Sequence, residues 1–227
     1  MRNKFDRQLD TLNSELIKMG AMCEEAIATL VSAALDGVQK PKGASEEELI
    51  ERTQAIENEI DRLERSIEGL CMRLLLQQQP VATDLRTISS ALKMISDMER
   101  IGDQASDIAL LSKYVSDSNI QQKIHIKEMA KAVINMVTES VDSFVKKDLE
   151  LAQKVMADDD IVDSLFDKVK NELIGLIGEN TDCGEVCMDL LMVAKYFERI
   201  GDHAVNIAEW VEYSITGRRH GSGGNIL

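Results

Sequence analysis

The sequence predicts an all-α protein: two tandem bundles, each of three long antiparallel helices, related by internal duplication. Three observations carry that prediction. Apolar residues recur at steps of three and four through most of the 227 residues, which is the spacing of one helix face. Residues that disfavour helix are scarce: the only prolines are Pro41 and Pro80, and aromatics make up 4%, while Leu, Ile, Ala, Met, Glu and Lys dominate. The pentapeptide ERIGD occurs at 99–103 and again at 198–202, one copy 99 residues after the other.

The first helix is read from Leu9, Leu12, Leu16, Met19, Cys23, Ile27 and Leu30. A break follows at GVQKPKGAS (37–45), where Ser45 and Glu48 form an S-x-x-E capping box that opens the second helix. Ile56, Ile60, Leu63, Ile67, Leu70 and Leu74 are the second stripe, ending at QQQP. Pro80 suits the first turn of a third helix and breaks with the one before it. That third helix carries Met94, Met98, Ile101, Ala105 and Ile108 and ends near SDSN (116–119).

The second half repeats the plan. Its fourth stripe is Ile126, Ala130, Val133, Val137, Val141 and Phe144, with Asp148 placed after it as a cap. The fifth is Val155, Val162, Leu165, Val169, Leu173 and Leu176; the sixth is Val193, Phe197, Ile200, Ala204, Ile207 and Val211. Residues 1–117 therefore form the first bundle, 118–217 the second, and 218–227 a flexible tail. Helices of about 30 residues are about 45 Å long, enough for three of them to enclose a core.

Composition excludes several functions. A net charge of −14 disfavours nucleic acid, whose phosphates are bound by clustered Lys and Arg, and direct adsorption to anionic lipid. No apolar stretch approaches the roughly 20 residues that span a bilayer, and the N-terminus lacks a signal-peptide core. Cys23, Cys71, Cys183 and Cys187 follow no disulfide framework, as expected of a reduced cytoplasmic setting.

On a helical wheel with Met94 at zero, the third-helix apolar stripe falls within about 40°, while Glu99, Asp103 and Asp107 fall at about 140°, 180° and 220°. Glu198, Asp202 and Asn206 stand likewise opposite the stripe of the sixth helix. A solvated face is the ordinary meaning of such acids. Two small penalties recur in both copies, however. Carboxylates at i, i+4 repel by a few tenths of a kcal/mol, and Gly102 and Gly201 cost roughly 1 kcal/mol each in a helix interior. A hard cation is one compensation, since oxygen-only ligands suit Mg, Mn, Ca or ferric iron. Glu57 with Asp61 in AIENEID, and Asp159 with Asp163 in ADDDIVD, offer a matching acid pair in each half. The glycines can admit a neighbouring helix or a ligand. Arg100 and Arg199 can pair with Asp103 and Asp202, three residues on, or contact phosphate or a partner.

The stretches QPVATDLRTISSALKMISDMERIGDQASDIA and LLMVAKYFERIGDHAVNIAEWVEYSITG, with the acid pairs in AIENEIDRLE and MADDDIVDSLFD, resemble the PhoU family over essentially the whole chain. The family contains accessory and regulatory proteins of bacterial phosphate-specific transport. The resemblance implies two similar three-helix bundles and multinuclear metal clusters, iron among them, held by E/D-x-x-x-D motifs on the bundle surface. It implies a first cluster at Glu57, Asp61, Glu99, Asp103 and Asp107, and a second at Asp159, Asp163, Glu198 and Asp202 with Asn206. Because Asn206 stands where the first repeat has Asp107, the second is expected to bind metal more weakly. The resemblance further implies a cytoplasmic negative regulator that connects the phosphate ABC transporter, through its ATPase subunit, to a sensor histidine kinase. Such a regulator restrains starvation gene expression and phosphate uptake, and reaches the membrane only through its partners. A homodimer is expected from the exposed grooves. Arg86 in ATDLR has no basic counterpart in the second repeat, where the aligned residue 99 positions on is Glu185; with Arg100 and Arg199 it is a candidate partner contact.

Two rivals remain. A metal-independent helical adaptor would use the ERIGD stripes to dock basic residues. A di-iron carboxylate enzyme would need inward Glu and a Glu-x-x-His pair, and the residues three before His125, His203 and His220 are Gln122, Ile200 and Gly217. Nothing in the sequence has the context of a catalytic nucleophile, so no enzymatic activity is expected.

Overall fold

The computed structural model describes residues 2–30, 46–78, 80–115, 120 and 123–218. Its helices are α1 (Arg2–Leu30), α2 (Glu46–Gln78), α3 (Ala82–Val115), α4 (Ile126–Lys146), α5 (Leu149–Glu179) and α6 (Gly184–Thr216), with a 3-10 turn at Thr181–Cys183 before α6. The break at 37–45 with Ser45 of the capping box, the SDSN end of the third helix, the boundary at 117/118 and nearly all of the tail lie outside the described residues.

Every apolar stripe read from the sequence becomes core. Leu12, Leu16, Met19, Ile67, Leu74, Met94, Met98, Val133, Val162, Phe197, Ile200 and Val211 are all fully buried. Leu9, Leu165 and Leu176 pack against the core from partly exposed positions. The chain is thus two three-helix bundles, α1–α3 and α4–α6, whose buried side chains merge into one continuous core. The bundles meet through α3 against α6 and α1 against α4.

Helix ends follow local chemistry. α4 is the short member, 21 residues, because Lys147 turns left-handed (φ 51°). There the Lys147 and Asp148 N–H groups donate to the carbonyls of Phe144 and Ser143, at 3.2 and 2.9 Å. Asp148 then caps α5, its Oδ1 accepting from the Leu151 N–H at 3.0 Å. Gly217 ends α6 in the left-handed region (φ 75°). Pro80 stands two residues ahead of α3 rather than inside its first turn, which begins with Val81 accepting from the Leu85 N–H at 2.9 Å. Among the described residues no helix is long and apolar enough to cross a membrane.

Candidate functional site

Each ERIGD glycine faces the helix that carries the other acids of its half. A Cβ on Gly102 would lie 3.0 Å from Cδ1 of Ile60 on α2. On Gly201 it would lie 3.5 Å from Val162 and 3.6 Å from the Oδ1 of Asp159, both on α5. The missing side chain at Gly102 lets α2 close on α3, whereas at Gly201 a Cβ would make only ordinary contact with α5. Beside these glycines lie two acidic clefts, one per bundle.

The wheel placed the ERIGD acids on a face opposite the core; none of them is buried and Asp202 is exposed, but the others are partly covered. The side chains of Glu99, Asp103 and Glu198 are 23%, 34% and 17% exposed. α3 and α6 are each packed on three sides, since each meets both other helices of its bundle and the other bundle. The neighbouring helices therefore partly cover Glu99, Asp103 and Glu198, while Asp202 stays exposed.

In the first cleft Glu57 and Asp61 of α2 face Glu99 and Asp103 of α3. Burial, then the charges of Asp61 and Asp103, raise the Glu57 carboxyl above its ordinary value. Burial and Asp103 raise Glu99, with Arg100 opposing and Glu64 and Asp61 adding smaller pushes. Glu64, a residue the sequence reading missed, is raised by burial, Asp61 and Glu68 against the pull of Arg65 and Arg100. Two arginines partly neutralise the cleft. Arg100 pairs with Asp103 at 3.0 Å and Glu99 at 3.5 Å, and Arg65 with Asp61 at 3.4 Å. The i, i+3 pairing expected for Arg100 is therefore present. Gln54, Glu57, Asn58, Asp103, Ser106 and Asp107 line the open end of this groove.

The second cleft sets Asp159 and Asp163 of α5 against Glu198 and Asp202 of α6. Burial and then Asp163, Asp202, Asp160 and Glu198 push the Asp159 carboxyl up to about 6. Asp202 is raised by desolvation and Glu198, with Lys195 and His203 opposing. The cation at its edge is Lys195, 2.5 Å from Glu198.

Asp107 and Asn206 have a second location: the seam where α3 and α6 run antiparallel. Asp97 accepts from Nδ1 of His203 at 2.9 Å and from the Asn206 amide at 3.2 Å. Across the same seam the Tyr196 phenol is pushed up by desolvation and by the nearby Asp107 carboxylate, with the Arg199 charge opposing. Arg86 packs on the end of α6, its Nη1 3.6 Å from where a Gly217 Cβ would stand. A cation at the carbonyl end of a helix is favourably placed.

The donor set of each cleft is oxygen-rich and hard, and its carboxyls are raised by burial first and by neighbouring carboxylates second. Both features fit a hard cation. Among the described residues no three such side chains already converge at metal-binding geometry, so a bound ion would draw side chains inward from either wall. All four cysteines are free, and the sulfurs of Cys183 and Cys187 are 3.6 Å apart. Burial pushes the thiols of Cys23 and Cys71 up to about 12. The stripes that point into the bundle interiors are apolar, in contrast to the inward carboxylates of a di-iron site.

A family model described as PhoU domain matches residues 16–111 and again 126–211. The chain is 35% identical over 220 residues to a phosphate-specific transport system accessory protein PhoU homolog of Clostridium acetobutylicum, covering 96% of this chain and 97% of that one. A homolog of the same description from Pseudomonas aeruginosa is 31% identical over 216 residues, covering 94% and 86%. The crystal structure of PhoU from Pseudomonas aeruginosa superposes with a TM-score of 0.84 at 31% identity, covering 94% of this chain and all of that one. The phosphate transport system regulatory protein PhoU from Streptococcus pneumoniae shares the fold, with a TM-score of 0.80 at 23% identity over 95% and 98% of the two chains.

Proposed function

The chain belongs to the PhoU family, and from that premise we propose that it is an accessory protein of a phosphate-specific transport system. In this reading it is a cytoplasmic negative regulator of phosphate uptake and of the phosphate-starvation response. It couples the phosphate ABC transporter, through the ATPase subunit, to a sensor histidine kinase, and acts as a homodimer without catalysing a reaction of its own. The observation that supports this most is the end-to-end likeness to accessory proteins, with both bundles matching separately.

The two clefts bind divalent or ferric ions, iron clusters among them, in the same reading. Glu57, Asp61, Glu99, Asp103 and Asp107 hold the first site; Asp159, Asp163, Glu198 and Asp202 hold the second. Bound cations would supply the positive charge that the raised carboxyls lack, fixing α2 to α3 and α5 to α6. Asn206 donates its amide to Asp97, so its part in the second site is limited to its amide oxygen. A metal-independent adaptor is the second reading, favoured by Arg100 and Lys195, which already occupy acids of the clefts as a docked basic partner would.

Affinity capture from phosphate-replete cells tests the regulatory role. Tagged full-length chain is expected to recover the transporter ATPase or the sensor kinase. Recovery of neither contradicts the assignment.

A further inference from the structure

α6 opens on a pair of thiols, Cys183 and Cys187, about one helical turn apart. Their sulfurs are 3.6 Å apart, with the Cys187 S–H donating to the Cys183 sulfur. The Cys183 S–H donates in turn to the Asn180 carbonyl at 2.9 Å. The two differ in access. Cys187 is 1% exposed, whereas Cys183 is half-buried. Cys183 also lines a cavity of about 390 Å³ at the α5–α6 turn, shared with the apolar Leu176 and Val186 and the charged Lys123, Glu179 and Asp182. Cys23 and Cys71, by contrast, are fully buried.

Backbone geometry decides whether such a pair can close. A regular helix holds Cβ atoms four residues apart at about 5–6 Å, beyond the roughly 3.8 Å that a disulfide spans. Cys183 stands outside the regular helix. It ends the 3-10 turn Thr181–Cys183 and precedes α6 with φ −88° and ψ 4°, and its side chain makes no capping hydrogen bond to α6. Among the described residues nothing lies within 4 Å of where a Gly184 Cβ would stand, so the turn has room to close on α6.

We propose that Cys183 and Cys187 are a thiol-oxidation site, which closes to a disulfide when a hydroperoxide enters the cavity at the α5–α6 turn. Cys183, the accessible thiol, attacks first. Its sulfur bonds to one peroxide oxygen and the O–O bond breaks. The second oxygen leaves with the Cys183 proton, as water or an alcohol, and Cys183 becomes a sulfenic acid. The Cys187 sulfur then bonds to that of Cys183, the S–O bond breaks, and the hydroxyl leaves as water with the Cys187 proton. The two thiols lose two electrons, and the peroxide O–O bond gains them. Burial, then the Cys183 sulfur, push the Cys187 thiol up to about 11, so it keeps its proton until this second step. The bond closes only residues 183–187, a short loop that adds little stability. It is a reversible modification rather than a structural staple.

The test starts from full-length chain that has been reduced and then freed of reductant. It is treated with hydrogen peroxide in molar excess, unfolded with N-ethylmaleimide present, and digested with trypsin. Cys183 and Cys187 fall in one peptide, 171–195, between Lys170 and Lys195. Labelled thiols are expected to fall from the full four to half that number, with this peptide unlabelled, lighter by its two thiol hydrogens, and restored by dithiothreitol. Met188 and Met192, exposed in the same peptide, take up oxygen on their own, so the reading is the lost hydrogens and labels. Cys187→Ala, which keeps the buried position apolar, is expected to stop at a sulfenic acid captured on Cys183 by dimedone. Cys183→Ser is expected to leave Cys187 reduced. If peptide 171–195 of the treated unsubstituted chain still carries both labels, the site is overturned. Oxidation of Cys183 and Cys187 to separate acids, with no bond between them, overturns it equally.

Discussion

In the first cleft two arginines reach in among the acids, Arg100 to Asp103 and Glu99 and Arg65 to Asp61. In the second a single Lys195 sits on Glu198, and Asp159, behind it against Gly201, is pushed up to about 6. The two clefts carry the same motif, and burial is the first cause of the raised carboxyls in both; they differ in the cations beside them. The Asp-to-Asn difference between the repeats falls at the α3–α6 seam, where Asn206 serves Asp97, and the acids that face each other across the second cleft are all charged types. The repeats differ more in their counterions than in their carboxylates.

The largest effects test whether the two bundles form one core. Phe197 and its counterpart 99 positions earlier, Met98, are both fully buried. Phe197→Ala is expected to cost about 3–5 kcal/mol and Met98→Ala about 2–5 kcal/mol. Urea unfolding of each is expected to remain a single transition, because the core is continuous. Two separated transitions in either variant would mean that the bundles unfold independently.

Next in size is the electrostatic asymmetry. Asp159 has a folded pKa above its unfolded one, so the native state binds the extra proton between about 3.8 and about 6. Stability therefore falls as pH rises through that window, and the ionised carboxylate burdens the fold fully above it. Asp159→Asn is expected to stabilise the metal-free chain by about 1–2 kcal/mol at pH 7.5, with the gain vanishing near pH 4. Glu99→Gln, in the cleft with two arginines, is expected to gain less. Equal gains from the two, measured by thermal unfolding across that pH range, would erase the contrast between clefts.

Smaller again is the glycine pair. Gly201→Ala meets nothing closer than 3.5 Å and is expected to gain about 0.5 kcal/mol from helix propensity. Gly102→Ala brings its methyl to 3.0 Å from Ile60 and is expected to lose that gain or reverse it. Matching shifts in melting temperature would refute the tighter α2–α3 approach. The smallest effect is Arg100→Ala, whose exposed i, i+3 pair with Asp103 contributes a few tenths of a kcal/mol. Its loss is expected to raise the Glu99 carboxyl further, visible in an NMR titration of that side chain.

The helices were legible because each stripe keeps one 3.6-residue period from end to end, as in Ile56 to Leu74. The pairing of acids across each cleft was legible too, through repeated i, i+4 spacing. Glu64 was missed although it lies a heptad after Glu57 and three residues after Asp61, because only the i, i+4 partner was sought. The groove position of Glu99 and Glu198 was not legible: a wheel shows one helix, and it counts a second neighbour on the far side as solvent. The seam depends on contacts more than a hundred residues apart, such as Asp97 with His203. Its one trace in the sequence is the set of polar residues, Asp97, Gln104 and Asp107 against Tyr196, His203 and Asn206, at matching places of the two repeats.

The central claim is that both clefts hold cations through their acid pairs. It is tested most directly by elemental analysis of chain purified without chelator, as the unsubstituted protein, Asp103→Asn, Asp202→Asn and the double variant. The account predicts stoichiometric metal in the first, a partial loss in each single variant and near-complete loss in the double. Substoichiometric metal, unchanged across all four, would contradict it.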